Sequence, residues 1–234
     1  MDTKHFSKKN NAPKDLSTEA INKFKLELSY ISKEMTKGSI STFNDETTIK
    51  KQITVADEEM LHNFLKEHKE NKDFKTVIQK VRLVDYLYST NLRMSGSRIY
   101  ADISNIILET PDFDERVEKG CLDLIDELAN SIKDITGKNH FSFVTKYCCN
   151  HNFHIYNNDN YSIYDTALNN AIPHYLKVTH TYIYDDCRGK IDYKQYHSII
   201  SDLIKEYEIN TENSRRDIDL YLWSIYRYLD TNIE

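Results

Sequence analysis

Apolar positions recur at helical rather than strand spacing along nearly the whole chain. Ser17-Thr18-Glu19 opens a stretch in which Ile21, Phe24, Leu28 and Ile31 form one narrow stripe, the signature of an amphipathic helix. The polar, Thr-rich run from Thr36 to Thr54 interrupts the pattern and predicts a loop with room for a short strand or two. A second helix is expected over Asp57 to Lys69, with Met60, Leu61, Phe64 and Leu65 inward. Phe74 to Tyr88 is the most apolar segment, with Phe74, Val77, Ile78, Val81, Val84, Leu87 and Tyr88 facing a core. It stops at Ser89-Thr90-Asn91, whose side chains compete with helix by bonding to the backbone.

Beyond Ser95-Gly96-Ser97 a helix is predicted from Arg98 to Glu109, closed by Pro111, and another from Gly120 to Ile135. Leu122, Leu124, Ile125, Leu128 and Ile132 form the apolar face of the latter, and Gly137 marks its left-handed end. Lys138-Asn139-His140 then leads into a helical stretch, Phe141 to Asn150. Two further helices are expected over Asp192 to Tyr207 and Ser214 to Leu229, the second opened by Ser214-Arg215-Arg216-Asp217 as a capping-box variant. These segments predict an all-α domain of roughly eight helices. Its bounds are residues 16–234, behind a mildly basic tail, Met1 to Asp15, carrying Lys4, Lys8, Lys9 and Lys14.

Composition narrows the alternatives. Five Gly and three Pro in 234 residues are too few for the turns of a β-sandwich or barrel, or for a Gly-rich phosphate loop. No window has the apolar length of a membrane span, and the N-terminus lacks a signal core, so the sequence reads as soluble and cytoplasmic, with no membrane partner. Cys121, Cys148, Cys149 and Cys187 form no disulfide framework and fit reduced thiols in that compartment. The net charge of −6 opposes non-specific nucleic-acid binding but leaves room for a local basic surface. Arg93, Arg98, Lys138, Arg188, Lys190, Arg215 and Arg216 are the candidates for one.

The richest stretch runs Asp134-Ile-Thr-Gly-Lys-Asn-His-Phe-Ser-Phe-Val-Thr-Lys-Tyr-Cys-Cys-Asn-His-Asn152 and, after a loop, Tyr161-Ser-Ile-Tyr-Asp165. It reads as helix, Gly-containing hairpin, helix, loop and an Asp at a helix start, with Asp165 falling 19 positions after Lys146. This arrangement resembles the helix-hairpin-helix DNA glycosylases, most closely the lysine-using 8-oxoguanine DNA glycosylase branch. Upstream, Val81 to Asn91 is similar to that family's apolar helix ending in a polar turn that faces DNA. The resemblance covers Val81 to Ala171 and implies a glycosylase-like core over about residues 74–175. The family's hairpin usually carries two glycines; here Gly137 stands alone.

The resemblance implies Lys146 as nucleophile and Asp165 as the carboxylate that steadies developing positive charge on the sugar. It implies DNA contacts from Ser89, Thr90, Asn91, Gly137, Lys138 and Asn139, with damaged or modified DNA as partner and no cofactor. A base inside a duplex must be flipped out to be reached, and 17 Tyr, 9 Phe and one Trp could furnish the pocket. A lysine nucleophile must be neutral, and Phe141, Phe143 and Val144 are apolar neighbours that could desolvate Lys146.

Each residue has a plainer reading. Alone, Lys146 is equally a solvated helix lysine, Asp165 an N-cap, Ser89-Thr90-Asn91 a helix-ending turn, and Trp223 a core residue. Cys148-Cys149-Asn150-His151 with His154 suggests zinc, but no second CxxC or HxxxH partner follows, so no metal site is expected. Two other functions remain open: non-catalytic recognition of modified bases or nucleotides, as in defence against foreign DNA, and a helical interaction module.

Overall fold

The computed structural model describes residues 15–37, 46–176 and 192–229. All regular structure among them is helical: α1 (Thr18–Thr36), α2 (Glu46–Glu67), α3 (Phe74–Tyr88), α4 (Ile99–Glu109), α5 (Phe113–Glu118), α6 (Asp123–Thr136), α7 (Phe141–Tyr156), α8 (Thr166–Ala171), α9 (Tyr193–Glu206) and α10 (Ser214–Leu229). Short 3-10 turns occupy Leu92–Ser95 and Ile172–His174. No described helix is long and apolar enough to cross a membrane. The basic tail lies outside the described residues except for Asp15, whose carboxylate accepts the Ser17 N–H at 3.0 Å.

Several boundaries differ from the sequence reading. The Thr-rich stretch is not all loop: α2 begins at Glu46, because Thr costs a helix only tenths of a kcal/mol and burial of Val55, Leu61 and Leu65 outweighs it. Six residues between Pro111 and Gly120 form α5, too short to show a period of their own. Met60 and Phe74, expected inward, are 44% and 43% exposed, an ordinary fate for single apolar side chains. The Ser214 hydroxyl does not make a capping box; it points backwards, 3.1 Å from the Thr211 carbonyl.

The described residues group into two compact units. Of the described residues, one comprises 57–164 with 192–197, and the other draws on 15–37, 46–56, 165–176 and 198–229. The units interleave along the chain, so no composition shift or linker marks their boundary.

In the larger continuous unit, α7 is the central element. It packs against α3, α5 and α6, and 13 of its 16 residues are buried. Such a helix cannot leave its polar side chains to water, and most of them find protein partners. The Asn152 amide donates to the Val117 carbonyl at 2.7 Å and its oxygen accepts the Asn160 N–H at 3.0 Å, fastening the loop after α7. Gly120 lies under this loop with φ +70°, and a Cβ there would come within 2.5 Å of Asn160. His151 stacks on Tyr147 with ring centroids 4.2 Å apart, and burial holds its pKa well below the usual value. Tyr193 closes the layer: its hydroxyl donates to the Ser162 carbonyl at 2.9 Å and accepts the Ser162 N–H at 2.8 Å.

Lys80 is fully buried on α3, beside Val77, Val81 and Val84. Its amine donates to the carbonyls of Lys69 and Glu70 and to Asn71 Oδ1 at 3.0–3.2 Å, satisfying the chain that leaves α2. Burial lowers its pKa from 10.5 to about 8, against the opposing pull of Asp114, Asp73 and Glu70. Between those two values the unfolded chain holds a proton that the folded chain has released, so folding stability rises with pH across that window. Urea midpoints at about pH 8 and about pH 10 are expected to show the rise, and Lys80→Met to flatten it.

In the second unit α1 and α8 both pack on α10. Lys25 Nζ pairs with Asp217 Oδ2 at 2.7 Å, Phe24 meets the Tyr221 ring edge-on at 5.6 Å, and the Tyr221 hydroxyl donates to the Asp15 carbonyl. The Tyr207 hydroxyl ties the start of the Tyr175 segment, donating to the Tyr175 carbonyl at 2.9 Å.

Candidate active site

Two turns of the larger continuous unit meet at one end of the bundle. The first follows α3. Ser89 and Asn91 take left-handed backbone angles, φ 49° and 60°, which polar residues tolerate when local bonds compensate. Asp85 supplies that compensation from the last turn of α3. Its Oδ1 accepts the Thr90 hydroxyl at 2.6 Å and the Leu92 N–H at 3.0 Å, and its Oδ2 accepts the Tyr100 hydroxyl at 2.7 Å.

The second turn joins α6 to α7. Gly137 adopts φ +69° and donates to the Lys133 carbonyl at 2.7 Å; a Cβ there would meet nothing, so the glycine serves its backbone angle alone. Asn139 Oδ1 then accepts the Phe141 N–H at 2.9 Å and starts α7. Lys138 Nζ donates to the Met94 carbonyl at 3.3 Å, and Ser95 Oγ lies 3.0 Å from His140 Nε2. Burial and the Lys138 charge lower the His140 pKa, leaving that ring neutral at pH 7. The fold thus brings the Ser89-Thr90-Asn91 segment and the Gly137-Lys138-Asn139 turn to one end, with all but half-buried Thr90 exposed. Arg93 and Arg98 are exposed beside the first turn.

The other basic candidates do not join them. Arg216 is 5% exposed in the second unit, Arg215 bonds to Ser201 there, and Arg188 and Lys190 lie outside the described residues. Trp223 is half-buried.

Lys146 projects from α7 and is only 4% exposed, so it is not a solvated helix lysine. Phe141, Phe143 and Val144 are buried around the same helix, as a desolvated amine requires. Its Nζ is 3.1 Å from Ser142 Oγ and sits over the Tyr88 ring, 5.6 Å from the centroid. The Tyr88 hydroxyl lies 3.0 Å from Asn150 Oδ1 and 3.1 Å from Glu58 Oε1, and the Asn150 amide donates to the Lys146 carbonyl at 2.8 Å. Glu58 Oε2 is 3.6 Å from His154 Nε2, and His154 Nδ1 is 3.2 Å from His62 Nδ1. Among the described residues no group of three or more His, Cys, Asp or Glu is arranged to hold a metal ion. Cys148 and Cys149 are buried, and burial pushes the Cys148 thiol far up, away from the reactive thiolate.

Asp165 falls in the second unit, 6% exposed, where its Oδ1 caps α8 by accepting the Leu168 N–H at 2.9 Å. The residue before it, Tyr164, donates its N–H at 3.1 Å to the hydroxyl of Thr145, the residue before Lys146.

Tyr88, Glu58, Ser142 and Asn150 escaped the sequence reading. A signal was present for two of them: Ser142, Lys146 and Asn150 are spaced by four and make a polar stripe on an otherwise apolar helix. Tyr88 and Glu58 come from α3 and α2, and no local pattern links them to Lys146.

The HI_0787_N family, described as an N-terminal domain, matches residues 35–160, just over half of the chain. This chain belongs to the HI_0787_N family. A Haemophilus influenzae relative described as an uncharacterized protein is 25% identical over 190 residues, spanning 79% of this chain and 86% of the relative. No solved structure matches. The HI_0787_N region takes in α2 from its start through α7, hence Tyr88, the Gly137 turn and Lys146, and ends before Asp165.

Proposed function

We propose that the chain is a DNA glycosylase, with associated strand-cleaving lyase activity, that excises a damaged or modified base through Lys146 and Asp165. One observation carries this reading: a lysine amine is buried at 4% exposure, among aromatic and apolar neighbours, on the helix that follows the Gly137 turn. Burial disfavours the charged form of an amine, and a nucleophilic lysine must be neutral.

In the proposed reaction the Lys146 nitrogen bonds to the anomeric carbon as the glycosidic C–N bond breaks. The bond's electron pair leaves with the base, which takes up a proton. The Asp165 carboxylate offsets the positive charge that develops on the sugar. The attached amine then loses its proton as the sugar ring opens, giving a Schiff base from which strand elimination proceeds. In this reading Asp165 serves both as cap and as counter-charge, two roles that one carboxylate can combine. The end carrying Ser89, Thr90, Asn91, Gly137, Lys138 and Asn139, with Arg93 and Arg98, is the proposed DNA-facing surface.

Borohydride trapping on duplexes containing an abasic site or oxidised purine tests the reading. A covalent protein–DNA adduct supports it. Tight binding to modified DNA without adduct or base release would instead favour a recognition module. Docking through Arg93, Arg98 and Lys138 predicts a plot of log K against log salt with slope near about −3, and Lys138→Gln is expected to reduce its magnitude by about one.

A further inference from the structure

The face of Tyr88 is turned to the Lys146 amine, while its hydroxyl, with one proton to donate, has two acceptors in reach, Asn150 Oδ1 at 3.0 Å and Glu58 Oε1 at 3.1 Å. A phenol ring hinged only at its own backbone could swing about its Cα–Cβ bond; one held at its hydroxyl keeps its long axis in place, and only rotation about that axis is left. Asn150 is fixed in its turn, because its amide donates to the backbone carbonyl of Lys146 itself. The position of the ring is thereby referenced to the backbone of the residue whose amine it faces. Glu58 contributes from α2, so three helices define the platform.

We propose that Tyr88 is a positioning residue for the Lys146 amine, an aromatic platform oriented by Glu58 and Asn150 that holds the nucleophile in register for attack. This deepens the glycosylase reading and rests on it for its chemical consequence, although the platform itself can be tested without DNA. The attraction between an ammonium and an aromatic face needs the ring but not the hydroxyl. Phenylalanine at this position therefore keeps the platform and loses only its tether, while leucine removes it. The ring also leaves a spectroscopic mark, since an amine over an aromatic face has upfield-shifted ε-methylene resonances.

The experiment uses the full chain grown with ¹³Cε-lysine, the Lys146 resonance being assigned by Lys146→Arg. An upfield-displaced Lys146 signal that persists in Tyr88→Phe and returns to the ordinary lysine position in Tyr88→Leu is the expected result. An undisplaced signal in the wild-type chain overturns the proposal, whatever the variants do. The second arm is single-turnover borohydride trapping on abasic-site DNA. Tyr88→Leu is expected to slow trapping about tenfold and Tyr88→Phe about threefold, both at unchanged DNA affinity. Equal trapping rates for Leu and wild type overturn the positioning role. If the wild-type chain forms no adduct while the displaced resonance is present, the glycosylase reading fails and the placement of the amine by Tyr88 stands. If Tyr88→Leu proves unstable, the displaced wild-type signal and its persistence in Tyr88→Phe decide the matter, and loss of the signal in Tyr88→Phe overturns the platform.

Discussion

Lys146→Met is expected to abolish the borohydride-trapped adduct, a loss of at least about a thousandfold in single-turnover rate, because no other group can form an imine at the sugar carbon from that place. Methionine retains the apolar stem, so the buried site stays filled and the cost falls on chemistry rather than packing. The companion variant separates the two functions of Asp165. Asparagine caps a helix about as well as aspartate, so Asp165→Asn keeps the bond to the Leu168 N–H while removing the charge. A drop in trapping of about a hundredfold with unchanged stability marks a catalytic carboxylate. Asp165→Ala, which also loses the cap, adds about 1 kcal/mol of destabilisation. An adduct that survives Lys146→Met at the wild-type rate would place the nucleophile elsewhere, with Lys138 of the neighbouring turn the first to examine.

Asp85→Ala is expected to be the most damaging single change in the larger continuous unit. It strands the Thr90 hydroxyl, the Tyr100 hydroxyl and the N–H of Leu92, and Leu92 has no exposure to water. Unsatisfied buried donors cost about 1–3 kcal/mol each, partly recovered by relaxation at the turn, so a total of about 3 kcal/mol is expected. Urea unfolding of this variant measures the loss. Asp85→Asn keeps one carbonyl oxygen and should recover roughly half of it. Because the same carboxylate sets the left-handed turn at Ser89 and Asn91, the Ala variant should also lose DNA affinity, whereas a stability loss with intact affinity would separate this turn from the binding surface.

The clearest features in the sequence were those set by local rules. The span of α3, Phe74–Tyr88, followed from its apolar stripe and the polar turn after it, and α10 from the same kind of pattern. Gly137 ended α6 as a left-handed cap, and Asp165 began α8 as an N-cap. What local rules could not supply was burial on all sides. α7 carries Asn150, His151, Asn152 and His154 in its second half, residues that read as a helix end, and it nevertheless continues to Tyr156: Asn150 and His151 bond to the helix's own carbonyls at Lys146 and Tyr147, and Asn152 and His154 meet the Val117 carbonyl and His62. Lys80 is the same case on α3: its charge suggests a solvent face, and only the carbonyls leaving α2 explain its burial. The candidate lysine was visible as a spacing, but its aromatic platform depends on contacts between helices far apart in sequence.

A helix sheathed on every side is a fixed post. With 13 of its residues enclosed, α7 has no room to slide or pivot. Whatever travel the Lys146 amine makes must come from rotation about the four single bonds of its own side chain. Under the proposed reaction the substrate would be brought to a stationary anchor, and accuracy of approach would fall to the mobile partner.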